Sequence, residues 1–282
     1  VPTLVGPTLD VGADDVVVLP EVPLVPGVDP APGVRTVIFN QNHFYTYAAA
    51  PASAWTSYPD WSRAPSVWTV SVESADVLRA LHPELAVTVI PNPVAGELFA
   101  PRSGAPSVAW FSRKRPREAA LLHRLLSIDA RLAGVELHDI TDEPWAAVAD
   151  LLGAATVFLA LGHTEGFGLP VAEALAAGCL VTGYDGGGGR ELFDAPGAWA
   201  VSDQRPLVLA EQVADLITRR DELRPLAEAN RAWVMARYSP ANTLDALLPA
   251  LDAALRRPGA AARAVHPARW LGELPPNFHL TG

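Results

Sequence analysis

From Ser107 onward the chain alternates short apolar runs with helix-length segments, and this alternation limits the possible folds more than any other feature. The apolar runs cover 107–111, 135–138, 156–161, Leu180–Tyr184 and Ala198–Val201. Between and after them the pattern predicts helices over 116–132, 143–153, a short helix from Pro170, then 206–236 and 240–256. Continuous apolar strands joined by helices imply a parallel sheet covered on both faces. Ligands of such sheets sit beyond the carboxyl ends of the strands.

Two features fall at those ends. After strand 107–111 comes a basic turn, Arg113, Lys114, Arg115 and Arg117, interrupted only by Pro116. After strand 156–161 comes GHTEGFGLPVAEALAAGCLVTGYDGGGGRE, running from Gly162 to Glu191. There Glu165 and Glu173 flank a glycine-interrupted entry into a short helix, with Pro170 suited to its first position and Gly178 to the residue past its end. The first amides of a helix have no partner within it, which favours an anionic or hydroxyl-rich ligand. Carboxylates beside them accept hydrogen bonds from hydroxyl groups. Phosphate together with sugar is the expected ligand.

The charge balance, 21 basic against 31 acidic residues for a net −10, argues against general nucleic-acid binding and makes the basic turn conspicuous. Lys114 is the only lysine in the chain. Cys179 is the only cysteine, which excludes an internal disulfide framework and a cysteine-built metal site. No stretch has the roughly twenty apolar residues of a membrane span, and no secretory leader opens the sequence. A cytoplasmic protein is the expectation, and an opening Val1 leaves room for upstream residues.

The earlier part is less regular. Apolar runs at Val16–Leu19, Val34–Phe39, Val67–Val70 and Val87–Ile90 read as strands, with Ser71 as N-cap of a helix to about Leu81. Pro91, Asn92 and Pro93, with Pro101 and Gly104, make 91–106 the expected linker between lobes. Residues 257–282 read as a surface tail.

Several segments together resemble family 4 glycosyltransferases of GT-B fold. EGFGLPVAEALAAG with CLVTGYDGGGGREL is similar to the family's donor-site signature, two glutamates separated by seven residues. VSVESADVLRALHPELAVTVIPNPVAGELFAP (70–101), WFSRKRPREAALL (110–122) and the helices around Glu211–Tyr238 with YSPANTLDALLPAL resemble its other parts in the same order. The resemblance covers roughly 66–256. It implies an α/β protein with two Rossmann-like lobes: a short acceptor-side lobe over 1–95, a donor-binding lobe over 96–240, and a C-terminal helix and tail over 241–282.

The implied activity is retaining, metal-independent transfer of a hexose-type sugar from a nucleotide-diphosphate sugar to an acceptor hydroxyl of a glycan or small glycoside. The donor is a co-substrate, and no separate cofactor is implied. By resemblance Glu165 holds donor-sugar hydroxyls, the Gly166, Phe167, Gly168 and Leu169 backbone approaches sugar and phosphate, and Glu173 binds the ribose. Arg113 matches the phosphate arginine, while the place of the family's lysine holds Glu118, leaving Lys114 and Arg117 as substitutes. His43 matches a histidine facing the donor across the cleft, and His163, His138, Asp139 and Asp142 are candidates around donor and base.

Plainer roles stay open for each. Glu165 and Glu173 also suit a helix N-terminus as surface charges, and the basic turn also suits a solvated loop. His43 suits a hydrogen-bonded structural role, and His163 a backbone cap. Gly186–Gly189 either meets ligand or packs on the Glu165 loop, with Glu191 bracing it. Tyr45, Tyr47, Trp55, Tyr58 and Trp61 suit acceptor stacking or lobe packing. The short first lobe lacks the family's first glycine-rich turn. That leaves three explanations: a missing N-terminal segment, a compact variant, or a protein or peripheral membrane partner that completes the cleft. A nucleotide-sugar-binding subunit and a GT-B epimerase or phosphorylase remain the alternatives, and the oligomeric state is open.

Overall fold

Residues 9–21, 33–46, 66–259 and 262–265 are described in a computed structural model. The chain divides into two compact units, Val1–Ile90 with Asp245–Gly282, and Pro91–Leu244. The residues from Asp245 onward, within the expected C-terminal helix and tail, count with the first unit.

In the first unit β2 (Val16–Pro20), β3 (Arg35–Asn40), β4 (Ser66–Thr69) and β5 (Val87–Val89) form a parallel sheet in sequence order. Alternation along β3 and β4 places side chains on opposite faces. Ile38 and Val67 pack with Leu78 of α1 (Val72–Leu81), and Val37 and Trp68 pack with Ile90 and Ala254. Ala254 belongs to α7 (Pro240–Leu255), whose Ala246, Leu247, Ala250 and Leu251 line the same face. Ser71 caps α1 as expected, its hydroxyl accepting from the Ser74 amide at 3.2 Å. Part of the expected tail is a strand: β11 (Ala262–Val265) pairs antiparallel with β1 (Leu9–Val11). A partner some 250 residues away leaves no local signal. Tyr47, Trp55, Tyr58 and Trp61 lie outside the described residues.

The second unit has five parallel strands, β6 (Ser107–Trp110), β7 (Glu136–Asp139), β8 (Val157–Leu161), β9 (Leu180–Tyr184) and β10 (Ala198–Ala200), ordered β10-β9-β8-β6-β7. Both faces are covered, which explains the uninterrupted apolar runs. Val108, Trp110, Val157, Leu159 and Leu180 pack with Leu122 and Leu126 of α2 (Pro116–Ile128) and Leu209 and Val213 of α5 (Pro206–Thr218). The intervening Ala109, Phe158, Ala160 and Val181, also buried, face the side of α3 (Trp145–Ala154) and α4 (Leu169–Ala176). The helical stretch after β10 is two helices, α5 and α6 (Arg220–Tyr238), broken at Arg219. These are the two parallel α/β units of a shortened GT-B fold. Among the described residues no helix is long and apolar enough to cross a membrane.

The strand order fixes where a ligand belongs. β7 lies on one side of β6, and β8, β9 and β10 follow on the other. The direction of winding reverses between β6 and β8, and such a switch point opens a crevice at the carboxyl ends. The basic turn leaves β6 there, and the Glu165 loop leaves β8 beside it.

Candidate active site

Glycine and helix-end chemistry shape the Glu165 loop. Gly168 caps α4 with φ +91°, a left-handed value, and Pro170 takes the second helical position, one later than expected. At the other end Gly178 has φ +84°; its amide donates to Leu175 O at 3.1 Å and that of Cys179 to Ala174 O at 3.0 Å. This paired closure satisfies carbonyls that the helix leaves open. Cys179 itself is fully buried core.

The tetraglycine turn packs on this loop. The Glu165 amide donates to Gly186 O at 2.8 Å, and the Gly188 amide to Glu165 O at 3.0 Å. A Cβ on Gly188 would lie 2.3 Å from Gly166 O, and one on Gly186 2.5 Å from Glu165 Cγ. Close approach of the Glu165 loop requires glycine here, the second of the two readings the sequence left open. Glu191 accepts from the Tyr238 hydroxyl at 3.0 Å, and Tyr238 packs edge-on against the buried Phe167 at 5.0 Å. Glu191 thus braces the loop through α6.

Lys114 Nζ lies 2.8 Å from Glu165 Oε1, so the only lysine joins the basic turn to the Glu165 loop across the switch point. Both side chains are largely withdrawn from solvent, at 29% and 19% exposure, which strengthens the pair relative to a surface ion pair. Arg113 and Arg117 are exposed and make no hydrogen bond or ion pair among the described residues. The backbone of Gly166, Phe167 and Gly168 is buried at the start of α4, and Leu169 is exposed.

Glu173, on α4, is partly buried, and burial pushes its carboxyl up to about 7. The Trp145 indole N–H, donating to Glu173 Oε1 at 3.4 Å, works against that rise. Trp145 begins α3, touches Phe99 edge-on at 5.7 Å and is 58% exposed.

Arg115 is the most heavily engaged of the basic residues. Its Nε donates to Gly162 O at 3.0 Å and its Nη1 to Glu118 at 3.0 Å. Nη2 pairs with Asp203 at 2.8 Å and meets His163 Nδ1 at 3.5 Å, while the guanidinium lies 4.9 Å from the centre of the Tyr184 ring. The Tyr184 hydroxyl donates to the other Glu118 oxygen at 2.7 Å and accepts from the Arg205 amide at 3.1 Å.

The other expected residues have local partners of their own. His138 pairs with Glu136 at 3.2 Å. Asp139 accepts from the Ser112 amide at 3.1 Å and so steadies the basic turn. His43 belongs to the first unit, in a short turn where its Nδ1 is 2.9 Å from Ser74 Oγ; burial lowers its pKa, with Glu73 opposing. Sequence reasoning missed Arg115, Tyr184, Asp203 and Trp145 as site residues. The Arg115–Glu118 spacing of three at a helix start was a usable signal for that pair; Trp145 and Asp203 carried none.

Backbone strain gathers at the same end of the sheet. Among the described residues the non-glycine positive φ values are Asp142 (53°), Thr164 (47°) and Gln204 (58°), in the loops after β7, β8 and β10. Such strain is characteristic of loops shaped for ligands. Among the described residues no group of three His, Cys, Asp or Glu side chains could hold a metal ion.

Comparison with known proteins agrees with this fold. Residues 126–233 match the family model described as glycosyl transferases group 1. Among solved structures the chain is similar to sucrose-phosphate synthase from Thermosynechococcus elongatus, at 18% identity and TM-score 0.59, over 78% of this chain and 68% of that one. A glycosyltransferase from Rickettsia africae gives 16% identity and TM-score 0.55, over 79% and 71%. Anabaena HepE in complex with UDP-glucose gives 14% identity and TM-score 0.59, over 77% and 72%. No curated protein matches the chain by sequence. Residues 126–233, within the second unit, are thus similar to glycosyl transferases group 1, on a fold shared with these solved structures.

Proposed function

We propose that this protein transfers a hexose-type sugar, with retention and without a metal, from a nucleotide-diphosphate sugar to an acceptor hydroxyl. The observation that carries the reading is the Lys114–Glu165 pair at the switch point between β6 and β8. In transfer, negative charge grows on the diphosphate oxygens as the glycosidic bond breaks, and fixed cations aimed there lower the barrier. Lys114 offers a compact charge and Arg113, unpaired among the described residues, a planar fork. Glu165 accepts sugar hydroxyls, and Glu173 accepts those of the ribose. The occurrence of UDP-glucose in the HepE structure supports a uridine donor as the first to test.

The test is a panel of UDP-, GDP-, dTDP- and ADP-sugars assayed for nucleotide diphosphate release with and without sugar acceptors. We expect one donor to be consumed, and Glu165→Ala to lower turnover at least about 100-fold while the melting temperature holds within a few degrees. Unchanged turnover in that variant sinks the site assignment. Glu118, standing where the resemblance expects a phosphate lysine, favours a second reading: a subunit that binds nucleotide sugar for another enzyme. Binding of a donor with no release under any acceptor would select it.

A further inference from the structure

Arg115 lies in a cluster that charge alone would assign to phosphate, yet each of its guanidinium nitrogens already has a protein acceptor: Gly162 O, Glu118, Asp203 and, at longer range, His163. Its side chain is 11% exposed and that of Glu118 16%. Glu118 is itself held from its other oxygen by the buried Tyr184 hydroxyl, which the Arg205 amide in turn engages. One guanidinium thus ties together the turn after β6, the start of α2, the ends of β8 and β9, and the segment before α5. Lys114 is its chain neighbour on one side of the switch point, and Glu165 lies three residues beyond Gly162 on the other.

We propose that Arg115 is a positioning residue that fixes the spacing between the phosphate turn and the Glu165 loop, with Glu118 as its anchor in place of a phosphate-binding lysine. The proposal rests on the transferase reading above. A planar fork with several N–H donors suits a hub between loops, and a lysine would serve only one or two of these acceptors. The phosphate is then left to Lys114 and Arg113. Displacing the Glu165 loop by a fraction of an ångström spoils the alignment of reacting groups more than it spoils ground-state binding.

The experiment compares Arg115→Met, Arg115→Lys and Lys114→Met in the full chain, by kcat and KM for the donor and by the Kd of UDP. Arg115→Met should lower kcat about 30-fold or more with UDP Kd changed less than about threefold, and Arg115→Lys should recover part of kcat. Lys114→Met should instead weaken UDP about tenfold or more. A tenfold loss of UDP affinity in Arg115→Met would make Arg115 a phosphate ligand, and an unchanged kcat would remove the positioning role; either overturns the proposal. Should Arg115→Met fail to fold, Glu118→Gln removes one anchor charge and should shift kcat in the same direction by about threefold or more. If the unaltered protein consumes no donor, the transferase reading fails by itself. Amide hydrogen exchange then decides the clamp: Arg115→Met must speed exchange at 162–168 while β8 and β9 stay protected, and equal exchange refutes it.

Discussion

The raised pKa of Glu173 gives a single side chain a visible effect on the whole protein. Its ordinary value is 4.5, and burial lifts it to about 7 in the folded chain. The folded state therefore holds this proton more tightly than the unfolded one. The stabilisation is complete below about pH 4.5 and is lost as pH rises through about 7. The proposed ribose contact has the opposite sign, because the charged carboxylate is the stronger acceptor for two hydroxyls. UDP should bind up to about tenfold more tightly at pH 8 than at pH 6, over and above any change in Glu173→Gln, which lacks the titration. Calorimetric titration of both proteins across that range is the check, and parallel profiles would remove Glu173 from the ribose. At this scale the sequence was partly legible. That Glu165 and Lys114 fall near each other was readable, because both follow strand ends at the switch point. The resemblance singled out Arg113, but the inward turn of Arg115 depends on Glu118, Asp203 and Gly162 together, of which only Glu118 is near in sequence.

Elements were more legible than their contacts. β9 falls on its expected residues and α4 ends at its expected glycine, because a buried strand and a left-handed helix end each leave a compositional mark. The pairing of β1 with β11 and the break at Arg219 left none, being settled by distant partners and by packing. The tetraglycine turn lies between these cases: four glycines announce a close approach without naming the neighbour. That neighbour is the Glu165 loop, so Gly188→Ala should force backbone apart at Glu165 and Gly166, where the added carbon would stand 2.4 and 2.3 Å from their carbonyl oxygens. Overpacking of this kind destabilises by roughly 1–3 kcal/mol, and displacement of Glu165 should lower turnover more than about tenfold. Gly134→Ala is the control. Gly134 has φ +81° and nothing within 4 Å of an added carbon, so only backbone strain of about 1–2 kcal/mol is expected there, with turnover unchanged. Thermal melts and donor turnover of both variants separate local strain from damage to the site; normal turnover in Gly188→Ala would refute the packing argument.

The second unit carries the means to fold by itself. It has a five-stranded sheet, a core shared by α2 and α5, and ties between its two chain ends. The Val94 amide donates to Tyr238 O at 2.7 Å, and Thr243 Oγ1 donates to Pro91 O at 2.8 Å. The unit begins at Pro91, inside the expected linker, because these contacts draw the linker's first residues into it. It closes at Leu244, within α7, whose later residues pack on Val37 and Trp68 far earlier in the chain. A boundary inside a continuous helix leaves no break in periodicity, so it was invisible in the sequence. Residues 91–244 expressed alone should therefore melt cooperatively and bind UDP within about threefold of the full chain. A fragment ending at 236 should fare worse for a specific reason: without Tyr238 it loses the ring against Phe167, the hydroxyl on Glu191 and the carbonyl that holds Val94. Burying an aromatic ring and its hydroxyl partner is worth roughly 3 kcal/mol, equivalent to a fall of about 6–12 °C in melting temperature for a unit of this size. Calorimetry and UDP titration of the two fragments read both effects. A fragment 91–244 that fails to fold would show that donor binding requires the whole chain, whereas equal stability of the two fragments would remove Tyr238 from the support of the Glu165 loop.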